Sequence, residues 1–333
     1  MRSPSLVRRD VCPACGGAEA VSVHRSRYDE PPVLDHLRRT YPMARDLAER
    51  LRDGVYEVDR CVACGLLFQR WVGTPSFLDV LYDEWLNSGY HPSGDRVYQG
   101  AIARPARSRD GHEIFAAAHA LGVEPGRLRT LDHGMGWGLW AVVAARLSAE
   151  SHGWDLSETR RAHAREFGVR TVDPRDYGSL AVDVVNMDQV LEHLSDPAEA
   201  VHAAARAVRP GGIVKISVPR MPGARLRFMR PAFTAARGSP RSLLALAPLE
   251  HVNCFDRGAL DRLAHGAGLL PFPPGIADYL AFLRVPGSVP PGRRDPASPE
   301  DTGKKILLKA FARPLYNMAS PEILYSWYRK ASR

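Results

Sequence analysis

Four of the five cysteines fall into two pairs with the spacing of metal ligands. Cys12 pairs with Cys15 and Cys61 with Cys64, and a glycine directly follows each pair. Two intervening residues place both thiolates on one side of a tight turn, and the glycine allows the left-handed conformation that points backbone N–H groups at the sulfurs. The two pairs together supply the four thiolates of a structural zinc site, which leaves no open position for chemistry. Redox dithiols, or thiols without metal, are the alternative interpretation.

A second chemical feature is the glycine-rich stretch after Asp132. Gly134, Gly136 and Gly138 stand at alternate positions, where they let the chain turn sharply and let a ligand lie against bare backbone. The spacing is not the Gly-x-Gly-x-x-Gly of dinucleotide binders, and no Lys-Ser/Thr follows as in a P-loop. Asp155, about 20 residues further on, stands where doubly wound folds place a carboxylate for ribose hydroxyls. A plain strand-to-helix turn is the alternative.

Two Glu–His dipeptides offer groups that could remove a proton. We expect Glu192-His193 in the helix after a fourth strand, and Glu250-His251 beyond a fifth. An imidazole beside a carboxylate is well matched to deprotonate an acceptor at neutral pH. We expect Glu250 and His251 to act on the substrate, with a structural hydrogen-bonded pair as the alternative. Glu192-His193 is interpreted as scaffold or as a shelf for a cofactor, and His193 is kept as a further catalytic candidate.

These residues require a particular order of strands and helices around them. Residues 127–130 read as a short strand entering a buried sheet, and 139–147 as an Ala-rich helix. A second strand over 151–155 and a helix over 157–167 follow. Strand, glycine turn and helix in this order place backbone N–H groups and the positive end of a helix beside a bound ligand.

Four segments in sequence order resemble class I S-adenosylmethionine-dependent methyltransferases. They are the glycine stretch at 131–138, the Val-Leu-Glu-His-Leu-x-Asp-Pro sequence within 182–197, the Arg-x-Val-x-Pro-Gly-Gly turn within 206–219, and a late helix and glycine turn at 260–270. The resemblance implies an α/β fold: a Rossmann-like, doubly wound methyltransferase sheet of seven strands with the last antiparallel, joined to a small N-terminal zinc-binding domain. We expect its last two strands within 276–285.

The same resemblance implies S-adenosylmethionine as the cofactor. The residues that it assigns to the cofactor are Asp132, Gly134, Gly136, Gly138, Asp155, Leu156, Asp188 and Gln189.

The N-terminal region is similar to the zinc-binding domain of a methyltransferase subset that includes sugar C-methyltransferases. Both cysteine pairs and the Cys-Gly-Leu-Leu-Phe sequence at 64–68 carry this similarity. It implies that Tyr82 or Tyr90, near a short helix, faces the substrate, whereas packing of these aromatic rings is the alternative. The similarity extends to a His-Glu-His segment in which Glu and His serve deprotonation, except that Leu249 here replaces the first His.

The 333 residues divide into four expected regions. They are a zinc-binding domain at 1–90, a linker and cleft-covering helix at 91–126, a methyltransferase domain at 127–285 with a basic cap insertion at 220–248, and a linker with an amphipathic helical tail at 286–333. We expect the tail to pack against the body or a second subunit, and contact with a membrane surface is the alternative. Neither reading fixes the oligomeric state.

The charge balance permits anionic partners without requiring them. The formal net charge is +8 and the pI is about 9.4. Six arginines and no acid lie within 220–241, where guanidinium forks would suit a phosphorylated or nucleotide-linked substrate; a solvated loop is the alternative. No signal peptide and no apolar run of membrane-spanning length is seen, so we expect a cytoplasmic protein.

The predicted function is S-adenosylmethionine-dependent methyl transfer to a small molecule in natural-product or glycan biosynthesis. C-methylation of a nucleotide-activated keto-sugar is the first interpretation. An O- or N-methyltransferase of another natural product is the alternative, as is a zinc-containing RNA methyltransferase. Nucleic acid is not the expected partner, because no aromatic and basic stacking surface is evident. A catalytically silent binding protein is a further reading.

Overall fold

The computed structural model describes residues 5–86, 90–147, 149–235, 243–288 and 323–332. The chain forms two compact units. The first unit comprises Met1–Tyr90, Gln189–Ala200 and Val218–Gly266; the second comprises His91–Asp188, Val201–Ser217 and Ala267–Arg333. The first unit thus combines the cysteine pairs, both Glu–His dipeptides and the described part of the basic insertion, which we expected in two separate domains.

Strands and helices are numbered in chain order over the described residues. The strands are β1 Leu6–Arg8, β2 Ala20–Arg27, β3 Val55–Cys61, β4 Leu67–Gln69, β5 Trp71–Gly73, β6 Arg129–His133, β7 Glu150–Trp154, β8 Arg170–Thr171, β9 Val182–Asp188, β10 Val208–Pro219, β11 Asn253–Cys254, β12 Leu269–Pro271 and β13 Ile323–Lys330. The helices are α1 Val33–Thr40, α2 Leu47–Arg50, α3 Pro75–Asp79, α4 Arg96–Ala103, α5 Arg109–Leu121, α6 Leu139–Arg146, α7 Glu158–Glu166, α8 Pro197–Ala207, α9 Ala224–Met229, α10 Arg257–Gly266 and α11 Ile276–Tyr279. None of the described helices is long and apolar enough to cross a membrane.

The first unit is built on a four-stranded sheet in the order β11-β4-β3-β2. Its three described pairings are antiparallel, and β1 and β5 form a separate antiparallel ribbon. The β3 register sets Ala20 opposite Cys61, which brings the chain after the first cysteine pair beside the second pair. Helices α1 and α2 and the segment around α9 cover the sheet. The fully buried side chains of this core include Tyr28, Leu37, Leu51, Tyr56, Val58, Phe228 and Leu246.

The second unit contains a seven-stranded sheet in the order β12-β13-β10-β9-β6-β7-β8. The pairings among β10, β9, β6, β7 and β8 are parallel, and β12 pairs antiparallel with β13. The first six residues of β9 are all buried, as expected for a strand with both faces covered by helices. The predicted doubly wound sheet of seven strands is therefore confirmed.

The predicted position of the last two strands is wrong. Residues 276–285 form α11 and a single 3-10 turn at Ala281–Arg284 rather than strands. The last two strands are β12 and β13, and β13 lies between two neighbours in the sheet. Such a position requires side chains that can be buried on both faces, and residues 324–328 are all buried, whereas Ile276 is 64% exposed.

Two other local predictions also change. The C-terminal tail is not helical over residues 323–330, which form β13; residues 289–322 of the predicted tail lie outside the described residues. His193 does not lie in a helix, because residues 191–193 form a turn and α8 begins only at Pro197. The region predicted as linker before α5 contains α4, capped by the Asp95 carboxylate on two backbone N–H groups.

Candidate active site and metal centre

The four paired cysteines converge in the first unit. The Sγ atoms of Cys12 and Cys64 are 3.5 Å apart, those of Cys15 and Cys61 are 3.6 Å apart, and all four lie within 4.8 Å of one another. Tetrahedral zinc with Zn–S bonds of about 2.3 Å requires sulfurs about 3.8 Å apart. The sulfur geometry therefore fits a four-thiolate metal site.

The backbone around the cysteines has the form that such a site needs. Gly16 and Gly65 both adopt the left-handed conformation, with φ of 71° and 83°. Hydrogen bonding from the Cys64 thiol lowers the pKa of Cys12 to about 5, whereas the same contact raises the pKa of Cys64. Four adjacent thiols cannot all ionise without a cation, and a divalent metal supplies that charge.

The predicted cofactor residues of the second unit gather at the carboxyl ends of β6, β7 and β9. Gly134, Gly136 and Gly138 all have positive φ, so the turn requires glycine at each position. The Gly136 N–H donates to Asp155 Oδ2 at 2.8 Å, and the Ser157 N–H donates to Oδ1 at 3.0 Å. The Arg160 guanidinium also lies 3.5 Å from Oδ1, so Oδ2 is the oxygen that keeps an acceptor position for a ligand hydroxyl.

Two further carboxylates end neighbouring strands beside this turn. Asp132 accepts from Asn186 Nδ2 at 2.8 Å, and burial raises the pKa of Asp132 to about 7. Asp188 accepts a hydrogen bond from the Ser217 hydroxyl. Leu156 leaves 67% of its surface exposed, which suits an apolar contact with a ligand. Gln189, the last predicted cofactor residue, belongs to the first unit and has a φ of 56°.

A buried ion pair in the second unit was not predicted from the sequence. Lys215 in β10 donates to Glu113 in α5, and both side chains are at most 5% exposed. Arg109 contacts Glu113 at 3.3 Å and the Tyr325 hydroxyl at 3.0 Å. Burial lowers the pKa of Lys215, but the Glu113 and Asp188 carboxylates outweigh it and the net shift is upward. The available signal in the sequence was a lysine directly flanked by the apolar residues Val214 and Ile216 in an expected strand.

The two Glu–His dipeptides meet in the first unit, and we call Glu192, His193, Glu250 and His251 the Glu–His cluster. The imidazole rings of His193 and His251 pack edge to face, with centroids 4.5 Å apart. Glu192 Oε1 lies 3.9 Å from His193 Nε2, and Glu250 Oε1 lies 3.7 Å from His251 Nε2. Glu192, Glu250 and His251 are buried, whereas the His193 side chain is 26% exposed. His193 is therefore the member that solvent reaches most readily.

The surroundings of His193 fix which of its nitrogens carries the proton. Nδ1 lies 3.0 Å from the backbone carbonyl oxygen of Glu250, which can only accept a hydrogen bond. In the neutral ring Nδ1 therefore carries the proton and Nε2 carries the lone pair. The Tyr82 hydroxyl is 3.0 Å from the same Nδ1, so all four predicted catalytic residues lie together. Tyr41, which was not predicted, donates to Glu250 Oε2 at 3.4 Å.

The Glu–His cluster also has the donors of a metal site. Ligand atoms of Glu192, His193 and His251 lie within 4.8 Å of one another. Two imidazoles and one carboxylate can hold a divalent transition metal or share a proton. Both uses need the Nε2 lone pair of His193.

Comparison with known proteins gives the family. The structure resembles that of the 1,6-didemethyltoxoflavin-N1-methyltransferase of Burkholderia thailandensis, with 18% identity and a TM-score of 0.41 over 81% of this chain and 98% of that one.

The curated relatives share more of the sequence. A ubiquinone biosynthesis O-methyltransferase of Alkalilimnicola ehrlichii is 43% identical over 111 residues, 30% of this chain and 44% of that protein. Another, of Paracidovorax citrulli, is 32% identical over 169 residues, 47% of this chain and 63% of that protein. This chain spans about half the length of the curated relatives that it matches. These names do not support the predicted similarity to sugar C-methyltransferases or a role in natural-product biosynthesis.

The family model described as "Methyltransferase domain" matches residues 104–270, half of the chain. That range includes the glycine turn, Asp155, Asp188 and both Glu–His dipeptides. The chain belongs to the methyltransferase domain family.

Proposed function

We propose that this protein transfers a methyl group from S-adenosylmethionine to a hydroxyl oxygen of a small-molecule acceptor. The observation that carries the proposal is the meeting of two Glu–His dipeptides around a histidine with its lone pair on Nε2. The family match supports methyl transfer, and the names of the curated relatives favour oxygen over the keto-sugar carbon of the sequence analysis.

The second unit offers the groups that would bind the cofactor. S-adenosylmethionine, when bound, supplies an electrophilic methyl group on a sulfonium. The left-handed glycines expose backbone to a ligand, and Asp155 Oδ2 keeps an acceptor position for a ligand hydroxyl. Asp132, Leu156, Asp188 and Gln189 are proposed to complete this set. Their work is to bind and orient, which is the main contribution that an in-line displacement needs from a protein.

The first unit offers the groups that would handle the acceptor's proton. His193 Nε2 would accept the proton of the acceptor hydroxyl as that oxygen takes the methyl group that the cofactor supplies. The Nδ1–H continues to donate to the Glu250 carbonyl oxygen, and this hydrogen bond holds the ring in place. Glu192, 3.9 Å from Nε2, then faces the positive imidazolium. Glu250 and His251 support this arrangement from the second dipeptide, and Tyr82 contacts Nδ1.

We also propose that Cys12, Cys15, Cys61 and Cys64 hold one structural zinc ion. The sulfur spacing and the two left-handed glycines support it. Four thiolates saturate tetrahedral zinc, so its contribution is to fold and not to the transfer step.

The test is methyl transfer with a deuterated methyl donor. The full-length protein is given trideuteromethyl S-adenosylmethionine and a panel of phenols, catechols and nucleotide sugars, and products are analysed by mass spectrometry and NMR. We expect label on oxygen. Label on carbon would contradict O-methylation, and no product with any acceptor, despite cofactor binding, would contradict the proposed activity.

Two histidine variants test the base. Removing a positioned base costs about 10²–10⁴-fold in rate, so His193→Ala should lower kcat by that range while the affinity for S-adenosylmethionine stays unchanged. His251→Ala should lower kcat less. His265→Ala, which removes an exposed histidine of α10 in the same unit, is the control and should retain full activity. Full activity in His193→Ala would exclude it as the base.

A further inference from the structure

We propose that Gln69 and Arg9, which flank the two cysteine pairs, are positioning residues that hold the Glu–His cluster in place. The expected effect of these residues on catalysis rests on the proposed function. In this proposal the cysteine site has a role beyond folding. By fixing Arg9 and Gln69, it controls the geometry of His193 and His251.

Gln69 holds the segment that carries Glu250 and His251. Its side chain is fully buried at the end of β4. Nε2 donates to the carbonyl oxygens of Ala247 at 2.8 Å and His251 at 2.9 Å, and Oε1 accepts from the Leu249 N–H at 3.4 Å. The Tyr28 hydroxyl also donates to Oε1, at 3.0 Å. The Gln69 amide therefore hydrogen-bonds to both ends of the turn from Ala247 to His251 and to Leu249 between them.

The turn from Ala247 to His251 would not hold its shape without these hydrogen bonds. Leu249 has a φ of 72°, in the left-handed region that residues with a Cβ rarely adopt. Such a conformation persists only when the surrounding structure determines it. Since Glu250 and His251 directly follow Leu249, any relaxation of its backbone would turn both side chains. It would also displace the Glu250 carbonyl oxygen that orients His193.

Arg9 holds the other dipeptide through Asn253. Its guanidinium donates to Asn253 Oδ1 at 2.9 Å and to the carbonyl oxygens of Val252 and Ser195 at 3.0 and 3.2 Å. Asn253 Nδ2 in turn donates to the carbonyl oxygens of Leu191 and Leu194, each at 2.8 Å. These contacts fix the turn at 191–193 that carries Glu192 and His193.

The two positioning residues are tied to each other and to the cysteines. Arg9 Nε donates to the Gln69 carbonyl oxygen at 3.0 Å, and the Arg9 N–H donates to the Arg70 carbonyl oxygen at 2.8 Å. Arg9 precedes Cys12 by three residues, and Gln69 follows Cys64 by five. A metal that joins the two cysteine pairs therefore fixes the chain segments of Arg9 and Gln69 against each other.

The test substitutes Gln69 by a side chain of similar size without hydrogen-bonding groups. Gln69→Met should lower kcat by about 10- to 100-fold, because misplacing a reacting group by about 1 Å costs up to about 10²-fold. The affinity for S-adenosylmethionine should not change, since the proposed cofactor residues other than Gln189 lie in the second unit. Trp71→Phe, two positions along the chain from Gln69, is the matched control. It removes one side-chain hydrogen bond, to Glu57, and should retain kcat.

Two readouts need no substrate. In protein labelled with ¹⁵N-histidine, Gln69→Met should shift the imidazole signals of His193 and His251, and amide exchange at 249–253 should accelerate; Trp71→Phe should change neither. A folded Gln69→Met protein with unchanged imidazole signals and unchanged exchange would overturn the proposal. If both change while wild-type protein methylates nothing, the positioning role stands and the proposed function fails.

Chelation provides the second arm should Gln69→Met not fold. Wild-type protein is treated with a zinc chelator at 25 °C, and exchange is followed by mass spectrometry. Protection at 249–253 should fall while protection at 129–133 in the second unit remains. Retained protection at 249–253 after complete loss of zinc would overturn the link between the cysteine site and the Glu–His cluster.

Discussion

Asp155→Ala should weaken binding of S-adenosylmethionine without unfolding the second unit. The Asp155 carboxylate accepts one backbone N–H on each oxygen, from Gly136 and Ser157. Arg160 also approaches Oδ1 at 3.5 Å, so Oδ2 keeps the acceptor position for a ribose hydroxyl. A hydrogen bond to a charged group contributes about 1.5–3 kcal/mol. Because a tenfold change in the dissociation constant corresponds to 1.4 kcal/mol, losing one such hydrogen bond should raise the dissociation constant about 10- to 150-fold.

The loss has a second component in the turn itself. Without the carboxylate, the Gly136 N–H loses its partner in the glycine turn. Asp155→Asn separates the two contributions, because its amide oxygen can still accept from Gly136 although the charge is gone. We therefore expect its affinity to lie between those of wild type and Asp155→Ala.

Isothermal titration calorimetry with S-adenosylmethionine and with S-adenosylhomocysteine measures the effect. The control is Glu158→Ala, which removes an exposed carboxylate three residues away that pairs with Arg161 and Arg165. It should change affinity by less than about 0.5 kcal/mol, the usual limit for a surface change. An Asp155→Ala affinity within twofold of wild type, with the fold intact, would refute the placement of the cofactor at this carboxylate.

Two other predictions concern metal and pH. Purified protein should contain one zinc per chain, and Cys15→Ser or Cys61→Ser should lose it; metal analysis that finds no zinc, with four free thiols, would exclude the site. Burial raises the pKa of Asp132 to about 7, so the folded state holds its proton more tightly than the unfolded state. The contribution of Asp132 to the free energy of unfolding should therefore fall as pH rises from about 4 to 7. Because one pKa unit corresponds to about 1.36 kcal/mol, the fall should be about 4 kcal/mol. Urea unfolding at pH 5 and 8 should show a smaller pH dependence in Asp132→Asn than in wild type, and equal dependence would contradict this.

Features set by short-range geometry could be predicted from the sequence. The Cys-x-x-Cys-Gly spacing determines a tight turn with a left-handed glycine, and both glycines have that conformation. The alternate glycines after Asp132 likewise marked a strand-to-helix turn, with β6 before it and α6 after it. In these cases the chemical reason lies within a few residues, so no knowledge of distant partners is needed.

Predictions failed where the burial of a segment depends on its neighbours. Residues 276–285 have enough apolar character for a strand, yet the place in the sheet between β10 and β12 is taken by β13. Residues 324–328 can be buried on both faces, and that requirement comes from the sheet and not from the segment. The prediction of a helix at His193 failed for a similar reason, because Asn253 holds the turn at 191–193 by hydrogen bonds to the carbonyl oxygens of Leu191 and Leu194.

By itself, the sequence determined the residue types of the site: four thiols, a glycine turn with its carboxylate, and two Glu–His dipeptides. Only the tertiary structure decided that the dipeptides meet, although 57 positions separate His193 from Glu250. It also decided that Gln69, which follows one cysteine pair, accepts a hydrogen bond from Leu249, and that Lys215 pairs with Glu113. Such contacts depend on which surfaces pack together, and packing is chosen by the burial of the whole core rather than by local spacing.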